Sequence, residues 1–338
     1  MVFAEAARLQ HALLCSTKSF VLQTPSAGTV GAAPVVPVDA IETAGLRKIY
    51  GRTAALHDLT LTVQPGEVFG FLGPNGAGKT TTIKILMGLV RPTAGTARIF
   101  GQPVAERAAR RRTGYLPENF RFHDWLTGEA LLDFHGRLAG MSAAARRARI
   151  PEVIARVGLA GRGGERIRGY SKGMTQRIGL AQAILHRPDL VLLDEPTSAL
   201  DPVGRREVRD LIRSLRAEGM TVFLNSHLLS EVEMVCDRVA IVDRGRVVRE
   251  GLMEELLGGA SEVRVTLDRV DQEALAALGR CAPVLAVEGA TVVLDADPEV
   301  APLIAETVIG AGYRLFGLAP VHRSLEDVFL GLVDGGHG

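Results

Sequence analysis

The sequence is poor in lysine and aromatic residues and carries almost no net charge. Of its 39 basic side chains all but a few are Arg, and 38 acidic side chains leave a formal charge of +1. Proteins that bind nucleic acid usually show a strongly basic surface, so this balance argues against such a partner. Aromatic residues make up only 5% of the chain, yet hydrophobic residues reach 47%, which is sufficient for a sizeable core. A length of 338 residues predicts two or more domains.

Cysteines and long apolar runs are also scarce. Cys15, Cys236 and Cys281 are far apart and form no C-x-x-C pair. This pattern argues against a disulfide framework and a zinc site, and it indicates a reducing compartment. No apolar run approaches the length of about 18 to 20 residues that a membrane-spanning helix needs, so we expect no segment of this chain to cross a bilayer.

Residues 1–40 differ in composition from the rest. Thr24–Val38 is rich in Pro, Gly, Ala and Val, as linkers are. A secretory signal does not fit, because the start is not basic and the apolar stretch is short. Leu14 precedes Cys15 where a lipidation site would have a small residue. We therefore expect residues 1–40 to be a disordered tail or linker, or the product of a start codon placed too far upstream.

The most specific motif is a glycine-rich loop between an apolar strand and an amphipathic helix. The loop reads G-x-x-x-x-G-K-T from Gly73 to Thr80, after the run Val68–Leu72 and before Thr81–Leu89. This order of strand, loop and helix is typical of a phosphate-binding loop, whose glycines let backbone N–H groups surround an anion. We expect Lys79 to reach the β and γ phosphates of a nucleotide and the Thr80 hydroxyl to bind Mg²⁺.

A second motif, Leu190–Glu195, ends an apolar run in two acids. At the end of a buried strand beside a phosphate-binding loop, Asp194 can hold Mg²⁺ directly or through water. Glu195 lies one residue nearer the pocket and can polarise the water that attacks the γ-phosphate. The two motifs together predict nucleotide hydrolysis.

Alternating strand and helix patterns over residues 41–255 predict an α/β core of the P-loop NTPase type. We expect a mainly parallel sheet with antiparallel strands at its start, and a helical insertion at about residues 115–175. The pattern over residues 261–332 is βαββαβ followed by a last helix, which fits a small ferredoxin-like α+β unit. This unit shows no catalytic constellation, so we interpret it as a regulatory or dimerisation domain.

Residues 41–255 resemble the ATP-binding subunit of an ATP-binding-cassette (ABC) transporter. The resemblance rests on six ordered elements, which together are far more specific than any one of them. They are an adenine-stacking aromatic (Tyr50), the Walker A loop (Gly73–Thr81), the signature (Tyr170–Met174), the Walker B strand (Leu190–Glu195), the D-loop (Ser198–Asp201) and the switch histidine (His227).

The resemblance implies a set of site residues. Glu195 and His227 would be catalytic, and Mg²⁺ would be held by Thr80, Asp194 and Glu118. The residues implied to bind ATP are Tyr50, Gly73, Pro74, Asn75, Gly76, Ala77, Gly78, Lys79, Thr80, Thr81, Glu118, Ser171, Gly173 and Asp201. In this family the signature serves the nucleotide of the opposite subunit, so ATP would be sandwiched between two head-to-tail chains.

Two departures from the usual family pattern stand out. Tyr170, Lys172 and Met174 replace three residues of the common Leu-Ser-Gly-Gly-Gln signature, whereas Ser171 and Gly173 are retained. Because these two carry the phosphate contacts, we expect a competent site. The second departure is Glu118, where many members carry Gln in the loop that senses Mg²⁺ and the membrane partner. A carboxylate can make the same contacts with a different charge.

Both departures, and the segment Ser324–Leu330, resemble exporters of the ABC-2 type, whose membrane half is a separate chain. The resemblance implies an integral-membrane permease partner, a second ATP-binding subunit and a peripheral location at the cytoplasmic face of the cell membrane. The arginine clusters, Arg110–Arg112 and the set Arg146, Arg147 and Arg149, are interpreted as a solvated face, with docking to the partner as the alternative.

Two other functions remain open. A soluble ABC protein acting on ribosomes or DNA would usually carry two cassettes or a long coiled-coil insertion, and this chain has one cassette and no heptad array. A plain P-loop kinase would need neither the signature nor His227.

Overall fold

The structure, a computed structural model, describes residues 38–258, 262–321 and 324–334. The predicted tail therefore lies outside the described residues, apart from its last three positions. Within the described ranges, no helix is both long enough and apolar enough to cross a membrane.

Fourteen strands are present in the described ranges. They are β1 (Ile41–Tyr50), β2 (Thr53–Val63), β3 (Val68–Leu72), β4 (Ala94–Ile99), β5 (Gln102–Pro103), β6 (Thr113–Leu116), β7 (Leu190–Asp194), β8 (Thr221–Asn225), β9 (Arg238–Asp243), β10 (Arg246–Leu252), β11 (Glu262–Leu267), β12 (Val284–Glu288), β13 (Thr291–Asp295) and β14 (Leu315–Val321).

Eleven α-helices accompany them in the same ranges. They are α1 (Lys79–Leu86), α2 (Arg107–Arg111), α3 (Gly128–Leu138), α4 (Ala143–Arg156), α5 (Lys172–Ile184), α6 (Pro202–Ala217), α7 (Leu229–Glu233), α8 (Met253–Leu257), α9 (Gln272–Gly279), α10 (Ala301–Gly310) and α11 (Leu325–Asp334).

The first ten strands form one mixed sheet in the order β5-β4-β1-β2-β10-β9-β3-β8-β7-β6. The block β9-β3-β8-β7-β6 is parallel, and the strands at the other end pair antiparallel. Strands β3, β7 and β8 are buried along their whole length, which explains why their sequences are almost continuously apolar. The predicted α/β class is confirmed, and one further parallel pairing, between β10 and β2, joins the two parts of the sheet.

The order of the parallel strands brings three motifs to one edge of the sheet. The glycine-rich loop follows β3, the two acids end β7, and the segment with the switch histidine follows β8. These strands are neighbours in the order β3-β8-β7. Because parallel strands end on the same side, their carboxyl ends form one crevice, which is where ligands bind in open α/β sheets.

Three strands of this sheet, the two-residue β5 and the longer β6 and β10, have no counterpart in the sequence patterns. β6 is a short edge strand, and its Gly114 packs so closely against the backbone of Ala183 that no side chain would fit there. Its residues Tyr115 and Leu116 were expected to begin the helical insertion, but the first helix there starts at Gly128. β10 carries charged residues and lies largely exposed, so it lacks the alternation that predicts a half-buried strand.

The last four strands form a separate antiparallel sheet in the order β12-β13-β11-β14. With α9 and α10 this is the predicted βαββαβ unit, and its strand order is that of a ferredoxin-like split unit. Val263, Val265 and Leu267 point from β11 into a core shared with Leu278 and Ile304 of the two helices. The opposite face of β11 is polar, as period-two alternation requires.

Helix α11 packs against the first part of the chain. Leu325 at its start is fully buried in the same hydrophobic core as Val232 of α7 and Leu256 of α8. The Leu325 N–H donates to Glu233 Oε2 at 3.0 Å, and Phe329 packs on that core one turn later. α11 therefore fixes the small C-terminal unit to the segment that follows the switch histidine.

Candidate nucleotide-hydrolysis site

Two positions of the glycine-rich loop leave no room for a side chain. Gly78, which caps α1, has φ +101°, and a Cβ there would lie 2.6 Å from the carbonyl oxygen of Ala55. A Cβ on Gly73 would collide with the backbone of Val242. The first turn of α1 contains no acid, and no side chain caps it. Its free N–H groups and positive dipole end therefore face the loop, as an anion site requires.

Lys79 folds back over this loop. Its Nζ donates to the carbonyl oxygens of Gly73 at 2.6 Å and Pro74 at 3.1 Å. Partial burial lowers the pKa of Lys79, while the carboxylates of Glu195 and Asp194 act in the opposite direction. The ammonium is thus held at the loop by groups that phosphate oxygens could replace.

Asp194 lies buried at the end of β7 beside an unsatisfied amide oxygen. Its Oδ1 accepts a hydrogen bond from Asn225 Nδ2 at 2.5 Å, and burial raises the pKa of the Asp194 carboxyl. The Oδ1 of Asn225 is buried without a hydrogen-bond partner among the described residues. An orphaned oxygen at the wall of a polar cavity indicates a site for water or a hydrated cation.

The few protein oxygens at this site suit a Mg²⁺ ion whose remaining ligands are phosphate oxygens and water. In the described ranges no three His, Cys, Asp or Glu side chains form a metal-binding cluster. Mg²⁺ in nucleotide sites is commonly held by one or two protein oxygens, with phosphates and water completing the octahedron. The oxygens of Thr80, Asp194 and Glu118 fit that pattern, and the backbone of Glu118 hydrogen-bonds to Asp194.

Glu195 pairs with His227 across the crevice. Its Oε2 lies 2.7 Å from His227 Nδ1, and the imidazole is 62% exposed to solvent. Burial raises the pKa of Glu195, while the contact with His227 lowers it. A carboxylate with a raised pKa, oriented by a histidine, is suited to accept a proton from water.

Most of these groups line one open cavity of ≈ 520 Å³, whereas the buried Asp194 is not among its lining residues. The cavity brings together Walker A, Walker B and switch residues that are far apart in the chain. Its lining consists of Ala55, Asn75, Gly76, Gly78, Lys79, Thr80, Thr81, Glu118, Glu195, Ser198, Asn225 and His227.

The signature residues lie in a different cavity. Ser171, Gly173 and Asp201 line a pocket with Arg162 and Arg177 that shares no lining residue with the first one. In this single chain Ser171 Oγ caps α5 by accepting from the N–H of Met174 at 3.2 Å. Asp201 caps α6 by accepting from the N–H of Gly204 at 2.9 Å.

Comparison with known proteins gives the family. The profile described as ABC transporter matches residues 56–198. An uncharacterized ABC transporter ATP-binding protein of Synechocystis sp. is 42% identical over 267 residues, which cover 76% of this chain and 75% of the relative. The chain belongs to the ABC transporter ATP-binding proteins. It is therefore an ATPase subunit with the P-loop NTPase fold.

Two further ABC proteins are informative. The Nod factor export ATP-binding protein I of Paraburkholderia xenovorans is 38% identical over 309 residues, covering 88% of this chain and 98% of the relative. The solved dimer of the ATP-binding cassette MJ0796, a post-hydrolysis state bound to ADP and Pi, is similar with a TM-score of 0.57. It is 26% identical and covers 63% of this chain and 98% of that one.

Several residues expected to bind ATP in this ABC subunit do not line the cavity. Tyr50 is exposed at the end of β1, where Lys48 Nζ lies 4.9 Å from the centre of its ring. Gly73, Pro74 and Ala77 are not among the lining residues, and Ala77 is buried. Within the loop, the N–H of Ala77 donates to the carbonyl of Pro74 at 3.2 Å.

The ABC motifs also depend on residues that sequence reasoning missed. Gly245 in the turn between β9 and β10 donates its N–H to Ala77 of the loop at 3.0 Å and accepts from the N–H of His57. The Asp243-Arg244-Gly245 sequence is a hairpin signal that could have located this turn, although not its contact with the loop. Asn225 ends β8 and donates to Asp194, a contact for which the sequence carries no signal.

Proposed function

We propose that this chain powers export across a membrane through a separate membrane-spanning partner, as a pair of copies arranged head to tail. The observation that carries the proposal is the division of the site between two cavities that share no lining residue. One holds the Walker residues and the other holds Ser171 and Gly173. A site that is incomplete in one chain is completed by a second copy related by a two-fold axis.

In the proposed mechanism Lys79 leaves the loop carbonyls and binds the β and γ phosphates of ATP. Glu195 accepts a proton from the attacking water, and His227 holds the Glu195 carboxylate in place. Ser171 and Gly173 of the second copy offer a hydroxyl and backbone N–H groups at the start of α5 to the γ-phosphate. Thr80, Asp194 and Glu118 would hold Mg²⁺, which would supply positive charge beside the phosphates.

Glu195→Gln tests this arrangement. With ATP we expect this variant to elute as a dimer in gel filtration and to lose turnover, because bound ATP then stabilises the closed pair. Adding Ser171→Arg should abolish the dimer and leave binding of one ATP per chain. Full turnover by a monomeric Glu195→Gln variant would refute the assignment.

A groove beside the helical insertion supports docking of a membrane partner. Two adjacent cavities share lining residues from β6, α3 and the end of α5, and none of their described lining residues is Asp or Glu. Phe134 and Leu138 of α3 are exposed along the groove, although both are large and apolar. Its basic residues include Arg107, Arg111 and Arg121. This lining suits an amphipathic segment with an acidic end.

Export in particular is supported by the relative named for Nod factor export, which this chain matches over nearly the whole of that relative. A subunit that works on such a partner lies at the cytoplasmic face of the membrane. Co-purification with a six-span hydrophobic protein encoded beside this chain tests the pairing. Arg111→Glu should weaken it, whereas Arg246→Glu on β10 should not. No co-purification by the unaltered chain would contradict the transporter assignment.

A further inference from the structure

The side chain of Gln176 connects the signature helix to the backbone of the proposed catalytic carboxylate. Gln176 lies on α5, five residues after Ser171, and is only 5% exposed. Its Nε2 donates to the carbonyl oxygen of Pro196 at 3.0 Å and lies 3.4 Å from that of Glu195. Carbonyl oxygens only accept, so a buried amide nitrogen is the group that can satisfy both.

The backbone that Gln176 contacts is strained. Glu195 has φ +54°, a left-handed conformation that costs about 1–2 kcal/mol for a residue with a Cβ. The strain is increased by Pro196, because a following proline restricts the preceding residue to extended conformations. Such a conformation persists only where neighbouring groups hold it.

Few groups are available to hold it. Pro196 has no N–H, so this stretch is anchored through the N–H of Glu195 and through carbonyl oxygens. The Glu195 N–H donates to Asn225 O at 2.8 Å, and Ser198 Oγ donates to Glu195 O at 3.1 Å. In addition to these contacts from β8 and from the loop after β7, the backbone of Glu195 and Pro196 is held by Gln176 of helix α5.

We propose that Gln176 is a positioning residue, whose amide keeps Glu195 in the left-handed conformation that aims its carboxylate at the attacking water. The proposal rests on the role of Glu195 given under Proposed function. Without the amide, the backbone of Glu195 relaxes toward the extended conformation that Pro196 favours. Its carboxylate then moves away from His227 of the same chain. ATP affinity is unaffected, because Lys79 and the loop around it do not contact Gln176.

Gln176→Met tests this by removing the donor while keeping the length of the side chain. We expect kcat for ATP hydrolysis by the purified chain to fall about 10- to 100-fold, the cost of a small misplacement of a catalytic group. The dissociation constant for ATP should stay unchanged, which also shows that the variant is folded. Gln182→Met on the same helix is the matched control and should keep normal kcat.

Two further measurements separate positioning from general damage. In a Glu195→Gln background, Gln176→Met should cause no additional loss of the residual rate, since the group it positions is gone. Gln176→Glu places a carboxylate against two carbonyl oxygens, neither of which can donate a proton to it. As the pH falls, the new carboxyl gains a proton that it can donate. The ratio of its kcat to that of the unaltered chain at the same pH should therefore rise as the pH falls.

Normal kcat in Gln176→Met, or an equal loss in the Glu195→Gln background, would overturn the proposal. These results are distinct from failure of the proposed function. If Glu195→Gln alone retained full turnover, the catalytic assignment of Glu195 would fail. If Glu195→Gln were inactive and Gln176→Met normal, only the positioning role would be rejected.

Discussion

Shortening one leucine at the start of α11 tests how firmly the small C-terminal unit is held to the cassette. Leu325 is 0% exposed, whereas Leu330 on the same helix is 50% exposed. Leu→Ala at buried sites costs about 2.7–5 kcal/mol, because apolar contacts are lost and a cavity remains. At exposed sites the change is usually within about 0.5 kcal/mol. We therefore expect Leu325→Ala to be less stable than Leu330→Ala by about 3 kcal/mol.

Urea unfolding followed by circular dichroism measures this difference. With a denaturant slope of about 3 kcal/mol per molar, the midpoint of Leu325→Ala should lie about 1 M below that of Leu330→Ala. Both substitutions place the same residue in the same helix, so helix propensity cancels in the comparison. Equal midpoints would refute the reasoning, because they would mean that Leu325 does not pack in the core of the cassette.

Three further changes address the site. Lys79→Ala should abolish ATP affinity or turnover, and unchanged hydrolysis would contradict the phosphate-loop assignment. His227→Ala should move the acid limb of the kcat–pH profile to higher pH. Burial already raises the pKa of Glu195, His227 opposes that rise, and protonated Glu195 cannot act as a base; a limb that stays in place would exclude this coupling. Ser171→Arg should block turnover yet leave equilibrium ATP binding intact, and a parallel loss of binding would show that the signature does not act in trans.

The nucleotide loop and the acid pair could be predicted because each is a short motif with fixed residue types at fixed spacing. Gly73 and Gly78 occupy positions where a Cβ would strike neighbouring backbone or side chains, so chemistry leaves few alternatives at those positions. Asp194 follows an unbroken apolar strand, which is typical of a fully buried parallel strand. Patterns of this kind are readable in a single chain.

Other features depend on tertiary contacts that no local pattern records. β10 is largely exposed, so its burial signal is weak, and it was missed. Gln176 and Gly245 hydrogen-bond to backbone atoms of segments far away in the chain. A glutamine or glycine at these positions does not by itself indicate such a contact. The site assignments themselves remain predictions, although the geometry collects Lys79, Glu195 and His227 around one cavity.

The position of α11 in the chain has a consequence for biosynthesis. Leu325 and Phe329 of α11 pack in a core whose other buried residues all precede position 258, and the whole small sheet is translated between them. At about 5–20 residues per second, the ribosome needs several seconds to make that intervening stretch. During this time the apolar surface that α11 will cover is exposed on the nascent cassette. Chaperones and proteases can therefore bind this surface before α11 does.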